Sequence, residues 1–160
     1  MLSRLKVKGF KSLNEVEIRF PRLSVLFGPN AAGKSNLLDA VQALSRIGTS
    51  RTLSDALVEP IRGYPVEAFA FPAGGLAALL SSPSAQFSLE ADLSIGKEQY
   101  QYRIKVEIQP GSGTLLVRDE YLATISQKGE PRGAPNIEKV GDQLRIRRKS
   151  KPAKPHQEPA

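Results

Sequence analysis

The sequence predicts an α/β fold: a mixed β-sheet with an antiparallel β-lobe at one side. Three observations point there. A short apolar run at Leu23, Val25, Leu26 and Phe27 leads into Gly28, Gly33, Lys34 and Ser35, spaced as G-x-x-x-x-G-K-[ST]. Apolar residues at Leu37, Leu38, Val41 and Leu44 then recur at helical spacing. Before and after this unit, residues 3–20 and 86–126 alternate with the period of two that marks half-buried strands.

The central unit has a chemical reading. An apolar run suits a strand buried on both faces, and a strand before and a helix after are the setting in which the glycine-lysine-serine spacing makes a P-loop. In such a loop, Gly28, Pro29, Asn30, Ala31, Ala32, Gly33, Lys34, Ser35 and Asn36 curl their backbone N–H groups around phosphate oxygens. Glycine is required where the chain turns tightly or approaches those oxygens closely. Lys34 supplies a positive charge to the β- and γ-phosphates, and the Ser35 hydroxyl is the candidate Mg²⁺ ligand. The expected ligands are ATP and Mg²⁺.

Each remaining stretch follows from its pattern. Leu5 and Val7 define a first strand, Val16, Ile18 and Phe20 a second, with Lys11 to Asn14 as the turn. Residues 33–47 form the one long amphipathic helix, with Asp39 in its first turns, where the helix dipole favours a carboxylate. Residues 48–85 are broken by Pro60, Gly63, Pro65, Pro72, Gly74 and Gly75, leaving short turns at Leu53 to Val58 and Leu76 to Leu80. Arg46, Arg51 and Arg62 are candidates for phosphate or DNA contact, with scattered surface charge as the commoner explanation. QFSLEADLSI and EQYQYRIKVEI pair through a hairpin at Gly96 and Lys97, and LLVRDEYLATI adds a third strand after the GSG turn. The expected division is a P-loop lobe over 1–144, made of a core (1–47), a connection (48–85) and the antiparallel β-lobe (86–144), followed by a basic disordered tail over 145–160.

Composition excludes several chemistries. The chain has 160 residues and no cysteine, which removes disulfides, thiol nucleophiles and zinc–thiolate sites. No apolar run approaches the roughly 20 residues of a membrane span, so a cytoplasmic location without membrane contact is expected. The net charge of +7 is concentrated at the end: Arg145, Arg147, Arg148, Lys149, Lys151 and Lys154 face only Glu158 there. A segment this rich in lysine and proline is a solubilising end or a contact for a DNA or RNA backbone.

The wording of Gly9, Phe10, Lys11, Ser12 and of Gly28, Asn30, Gly33, Lys34, Ser35, Asn36 and Leu37 to Ala40 resembles the N-terminal lobe of RecF/SMC-like ABC-type ATPases, the group with AAA-type predicted ATPases and OLD-like proteins. The resemblance is specific over residues 1–47. It implies a P-loop NTPase mixed sheet present only as its N-terminal half, an adenine nucleotide, and Lys11 near the base or phosphates. It also implies ATP hydrolysis between two protomers, so that the partner is a second copy or a complementary C-terminal ATPase lobe, with little turnover by this chain alone. DNA repair, chromosome maintenance and phage defence are all compatible with it.

Two motifs suggest a rival. LSIGKEQ (Leu93 to Gln99) echoes an ABC signature and LLVRDE (Leu115 to Glu120) a Walker B strand, which would make Asp119 a metal-shell ligand and Glu120 the base for the attacking water in a small complete ATPase or kinase. A signature opens a helix, however, and residues 100–108 alternate as a strand; Arg118 also puts a charge where a buried strand needs an apolar residue. The only histidine, His156, lies in the tail. A third reading is a non-catalytic nucleic-acid-binding module that uses the tail.

Overall fold

The computed structural model describes residues 1–58, 61 and 63–147. Pro60, Arg62 and the tail from Arg148 onward, His156 included, lie outside the described residues. Strands β1 (Leu2–Phe10) and β2 (Leu13–Arg19) precede helices α1 (Lys34–Ile47), α2 (Leu53–Ala56) and α3 (Gly75–Leu80), with a 3₁₀ turn at Pro65–Ala68. Strands β3 (Ala85–Ile95), β4 (Glu98–Gln109), β5 (Thr114–Ile125), β6 (Ile137–Val140) and β7 (Gln143–Ile146) follow. All seven strands form one sheet in the order β2-β1-β3-β4-β5-β6-β7.

Period-two patterning explains which face is covered. Leu5 and Val7 of β1, Phe87, Leu89 and Ala91 of β3, and Ile104, Val106 and Ile108 of β4 are buried on one side. Leu37, Ala40 and Ala43 of α1, Leu57, Ile61, Ala68, Phe69 and Leu79 close over them. Phe87 meets Phe10 edge-on at 5.3 Å and Phe69 at 5.0 Å, so the rings join β1, β3 and the connection at one point. The other face is a charged mosaic. Arg4 pairs with Glu17, Glu90 and Asp92, Glu15 with Lys6 and Lys8, and Arg103 with Asp119. Glu107, although buried, bonds Arg118 and Gln86, and these two contacts hold its carboxyl below the ordinary range.

The expected hairpins are found, with Gly96 and Lys97 as the β3–β4 turn and β1 and β2 joined across Lys11 and Ser12. Other expectations are corrected. Among the described residues every strand pair is antiparallel, so the mixed sheet with the Val25 strand at its centre does not form. The run Leu23 to Phe27 is an exposed, irregular segment, with Leu23 82%, Val25 75% and Phe27 90% accessible. The physical reason is partnership. A strand apolar on both faces is stable only between neighbours and under covering layers, and among the described residues no strand flanks this run on either side. On α1, Leu38 is 58% exposed while Leu37 is buried, because nothing among the described residues covers the side of the helix that carries Leu38. At the other end, β6 and β7 went unread in the sequence, and Arg145 and Ile146 belong to β7. There Glu138 holds Arg145 at 3.4 Å and Arg147 at 3.1 Å.

No helix among the described residues is long and apolar enough to cross a membrane.

The approach of β1 to β3 depends on Gly9. It has φ +71°, and a Cβ there would lie 2.6 Å from the Gln86 carbonyl oxygen. Gly9→Ala is expected to cost about 2 kcal/mol or more, lowering Tm by about 4–8 °C for a chain of this size. Thermal unfolding followed by circular dichroism checks this; an unchanged Tm would mean that β1 does not sit this close to β3.

Candidate nucleotide-binding site

The loop between β2 and α1 turns through three residues of positive φ. Gly28 lies at φ +146°, Gly33 at +83° and Ala31 at +64°, a run of conformations that glycine accepts readily and alanine seldom. Gly33 is the N-cap of α1, so no side chain occupies the N–H groups of the first turn, and that turn carries no acidic residue. The result is a helix N-terminus open to an anion. A concavity of about 480 Å³ lies there, lined by Asn30, Ala31, Ala32, Gly33, Lys34, Ser35, Asn36 and Ser12. Lys34 Nζ donates to the loop's own Gly28 and Pro29 carbonyl oxygens at 2.8 and 2.7 Å. A lysine held by two carbonyls can turn to a phosphate with little rearrangement, and the donor set fits a polyphosphate with a hydroxyl-bound cation at Ser35.

A second cavity of about 680 Å³ adjoins the first. Ser12 and Asn36 line both, and Asn36 Nδ2 donates to Ser12 Oγ at 2.7 Å. The rest of its wall comes from Lys11, Asn14, Gly63, Glu67, Phe69 and Phe71. Phe71 is partly exposed there, whereas Phe69 is buried with its ring against Phe87; one accessible aromatic ring with a few polar groups suits a small-molecule subsite. Of this wall only Lys11 carries a ligand expectation from the sequence, Asn14 and Gly63 being read there as a turn and a chain break. Asn14, Glu67, Phe69 and Phe71 carry no motif, and their convergence is made by the fold.

Two residues read as minor are engaged here. Lys11 Nζ meets Asp39 Oδ2 at 2.6 Å, both side chains being nearly buried. Asp39 therefore does more than favour the helix dipole. Arg46 is no idle surface charge either: its guanidinium donates to the carbonyls of Asp55 and Ala56 at the end of α2. Arg51 is exposed.

The rival motifs are placed on strands. Leu93 to Gln99 spans the β3–β4 turn and opens no helix. Arg118 is an extra residue at a register shift of β5 against β4, where it reaches Glu107. The shift sends Asp119 to the charged face, bonded to Arg103 at 2.9 Å, and Glu120 to the face that carries Ile104, accepting from the Tyr102 hydroxyl at 2.9 Å. No group of three or more carboxylate or histidine side chains suited to a metal occurs among the described residues.

A glycine-capped loop at a helix start, with lysine and serine behind it, is a candidate phosphate site, and comparison with known proteins gives the class of domain that carries it. Residues 23–156 match the family model described as AAA domain, putative AbiEii toxin, Type IV TA system, and the chain belongs to this family of AAA-type ATPase domains. It is similar to the DNA replication and repair protein RecF of Magnetococcus marinus, at 41% identity over 64 residues, 39% of this chain and 16% of that protein. It is also similar to RecF of Lactobacillus johnsonii (40% over 55 residues; 34% of this chain, 15% of that protein) and of Lactobacillus gasseri (30% over 142 residues; 85% and 34%). The RecF/SMC-like resemblance seen at residues 1–47 is thus supported along most of the chain, which spans between 15 and 34% of the length of these relatives.

Burial, and after it the Glu120 carboxylate, pushes the Tyr102 phenol far above its ordinary 10.0. Its ionisation is thereby linked to unfolding, and the stability that the neutral phenol contributes is lost as pH rises above 10. Absorbance titrations near 295 nm of the native protein and of Tyr102→Phe are expected to superimpose while the fold persists. A difference with a midpoint near pH 10 would show the phenol to be solvated.

Proposed function

We propose that the chain binds ATP with Mg²⁺ through residues 28–36 as the Walker A portion of a RecF/SMC-like ATPase. The observation that carries this is the open, glycine-capped start of α1 with Lys34 and Ser35 beside it. Lys34 leaves the Gly28 and Pro29 carbonyls for the β- and γ-phosphates, Ser35 holds the cation, and the backbone of Asn30 to Ser35 takes the remaining oxygens. The adjoining cavity takes the nucleoside, with Phe71 as its apolar wall. The bound nucleotide and cation supply the phosphoryl chemistry; this chain supplies the cradle.

Hydrolysis requires a base or water-positioning group together with charge stabilisation at the γ-phosphate. Asp119 and Glu120 are committed to Arg103 and Tyr102, so these groups come from a complementary C-terminal lobe or a second copy. Leu23, Val25 and Phe27 then become a strand of a mixed sheet whose other strands the partner contributes, covering Leu38 as well. The exposed apolar run supports this, since contiguous apolar surface on a folded chain marks an interface. The relatives' name makes DNA the polymer to test against the basic residues from Arg145 onward.

Mg-ATP is expected to raise Tm, and Lys34→Ala to abolish the rise; an equal shift in that variant defeats the assignment. In the same assay Glu120→Gln should leave the nucleotide-dependent shift unchanged, and phosphate release should be negligible in both native chain and variant. Turnover that Glu120→Gln removes would promote the self-contained ATPase in its place.

A further inference from the structure

The turn between β1 and β2 is built more firmly than a hairpin turn requires. Lys11 occupies the left-handed region at φ +49°, where a residue with a side chain seldom sits. Its backbone N–H donates to the Ala68 carbonyl at 3.0 Å, and one residue earlier the Gly9 carbonyl accepts from Ala70 N at 2.9 Å. The segment holding Ala68 to Ala70 thus lies alongside the end of β1 as a short added strand, with Phe10 and Phe69 bridged. An unfavourable backbone persists only where its surroundings over-determine it.

That fixed turn grips α1 at two points. Lys11 reaches Asp39, and the next residue, Ser12, accepts from Asn36. Positions 36 and 39 are three apart on one helix and so share a face. Asn36 directly follows Ser35, and Asp39 lies one turn beyond it. In addition, Gly33 sits against the turn: a Cβ there would meet Leu13 Cδ2 at 3.4 Å and Ser12 Oγ at 3.6 Å.

We propose that the β1–β2 turn is a two-point clamp that positions the phosphate loop, Lys11 acting through Asp39 and Ser12 through Asn36. Lys11 and Ser12 are positioning residues for the site. They hold the first turn of α1 at a fixed height and rotation against the sheet, so that the N–H groups of the loop converge on one point. Without the clamp, α1 still covers the sheet through Leu37, Ala40 and Ala43, but its N-terminus is free to tilt. A cradle aimed slightly wrong binds poorly even when all its groups are present. The proposal rests on the nucleotide reading above for its functional consequence and on the free protein for its structural one.

Hydrogen exchange on the full chain without nucleotide, paired with Mg-ATP titration by calorimetry, tests both. Lys11→Met and Ser12→Ala are expected to speed exchange of the amides of residues 33–40 while those of β3 to β5 stay as slow as in the native protein. They should also weaken Mg-ATP binding by about tenfold, with Lys11→Arg restoring most of it. Should Lys11→Met leave Asp39 too poorly paired to fold, the double variant K11M/D39L removes both charges and carries the same test. The clamp is overturned by unchanged exchange over residues 33–40, by acceleration spread equally over β3 to β5, or by affinity within about twofold of the native value despite local loosening. If the native chain itself binds no Mg-ATP, the nucleotide reading fails, and the exchange pattern still decides whether the clamp exists.

Discussion

The antiparallel pairing of β1 with β3 is the constraint on which the other elements depend. β1 lies between β2 and β3, with Leu5 opposite both Ile18 and Ala91 and Val7 opposite both Val16 and Leu89. Residues 20–84 must therefore leave the sheet beyond β2 and return on the other side of β1, crossing one face. The chain entropy lost in closing so long a connection grows only slowly with its length, and burial of Phe87, Leu89, Phe10, Phe69 and their neighbours offsets it at about 25 cal/mol per Å² of apolar surface. With that closure made, α1 has a sheet to lie on, and the phosphate loop is carried to the edge where the β1–β2 turn stands.

The uncovered face shows what the sheet does without a second layer. Its cross-strand pairs are mostly ionic and half-exposed, so each contributes at most about 1 kcal/mol. Their value lies more in register, since a slip by one residue would turn these charges into the core and the core residues to solvent. The register shift at Arg118 belongs to this economy of faces. It lets β5 keep Val117 against the core and still place Asp119 outside.

On the covered side the arrangement is unfinished in one direction. Leu23, Val25 and Phe27 stand in solvent beside a helix whose Leu38 is also exposed. Three large apolar side chains in five residues are thereby left in contact with water. The phosphate loop hangs from this same segment at one end and from α1 at the other. The proposed nucleotide site and the exposed apolar run therefore share one continuous piece of chain, from Leu23 to Asn36.

What the sequence by itself determined is local. Period-two alternation placed β1 to β5, because one covered face per strand writes itself into every second residue. The spacing of Gly28, Gly33, Lys34 and Ser35 made this loop the candidate site, because phosphate chemistry needs particular residue types at particular spacing. Helix α1 was legible from its period. Tertiary structure alone decided the rest. The fate of Leu23 to Phe27 depends on neighbours, and an apolar run has the same composition whether it is buried or waiting for a partner. β6 and β7 are four residues each, too short to show a period. The wall of Asn14, Glu67, Phe69 and Phe71 and the pairing of Lys11 with Asp39 join residues far apart in the chain. No local pattern encodes such meetings, because they exist only once β1 has found β3 and the connection has folded back across it.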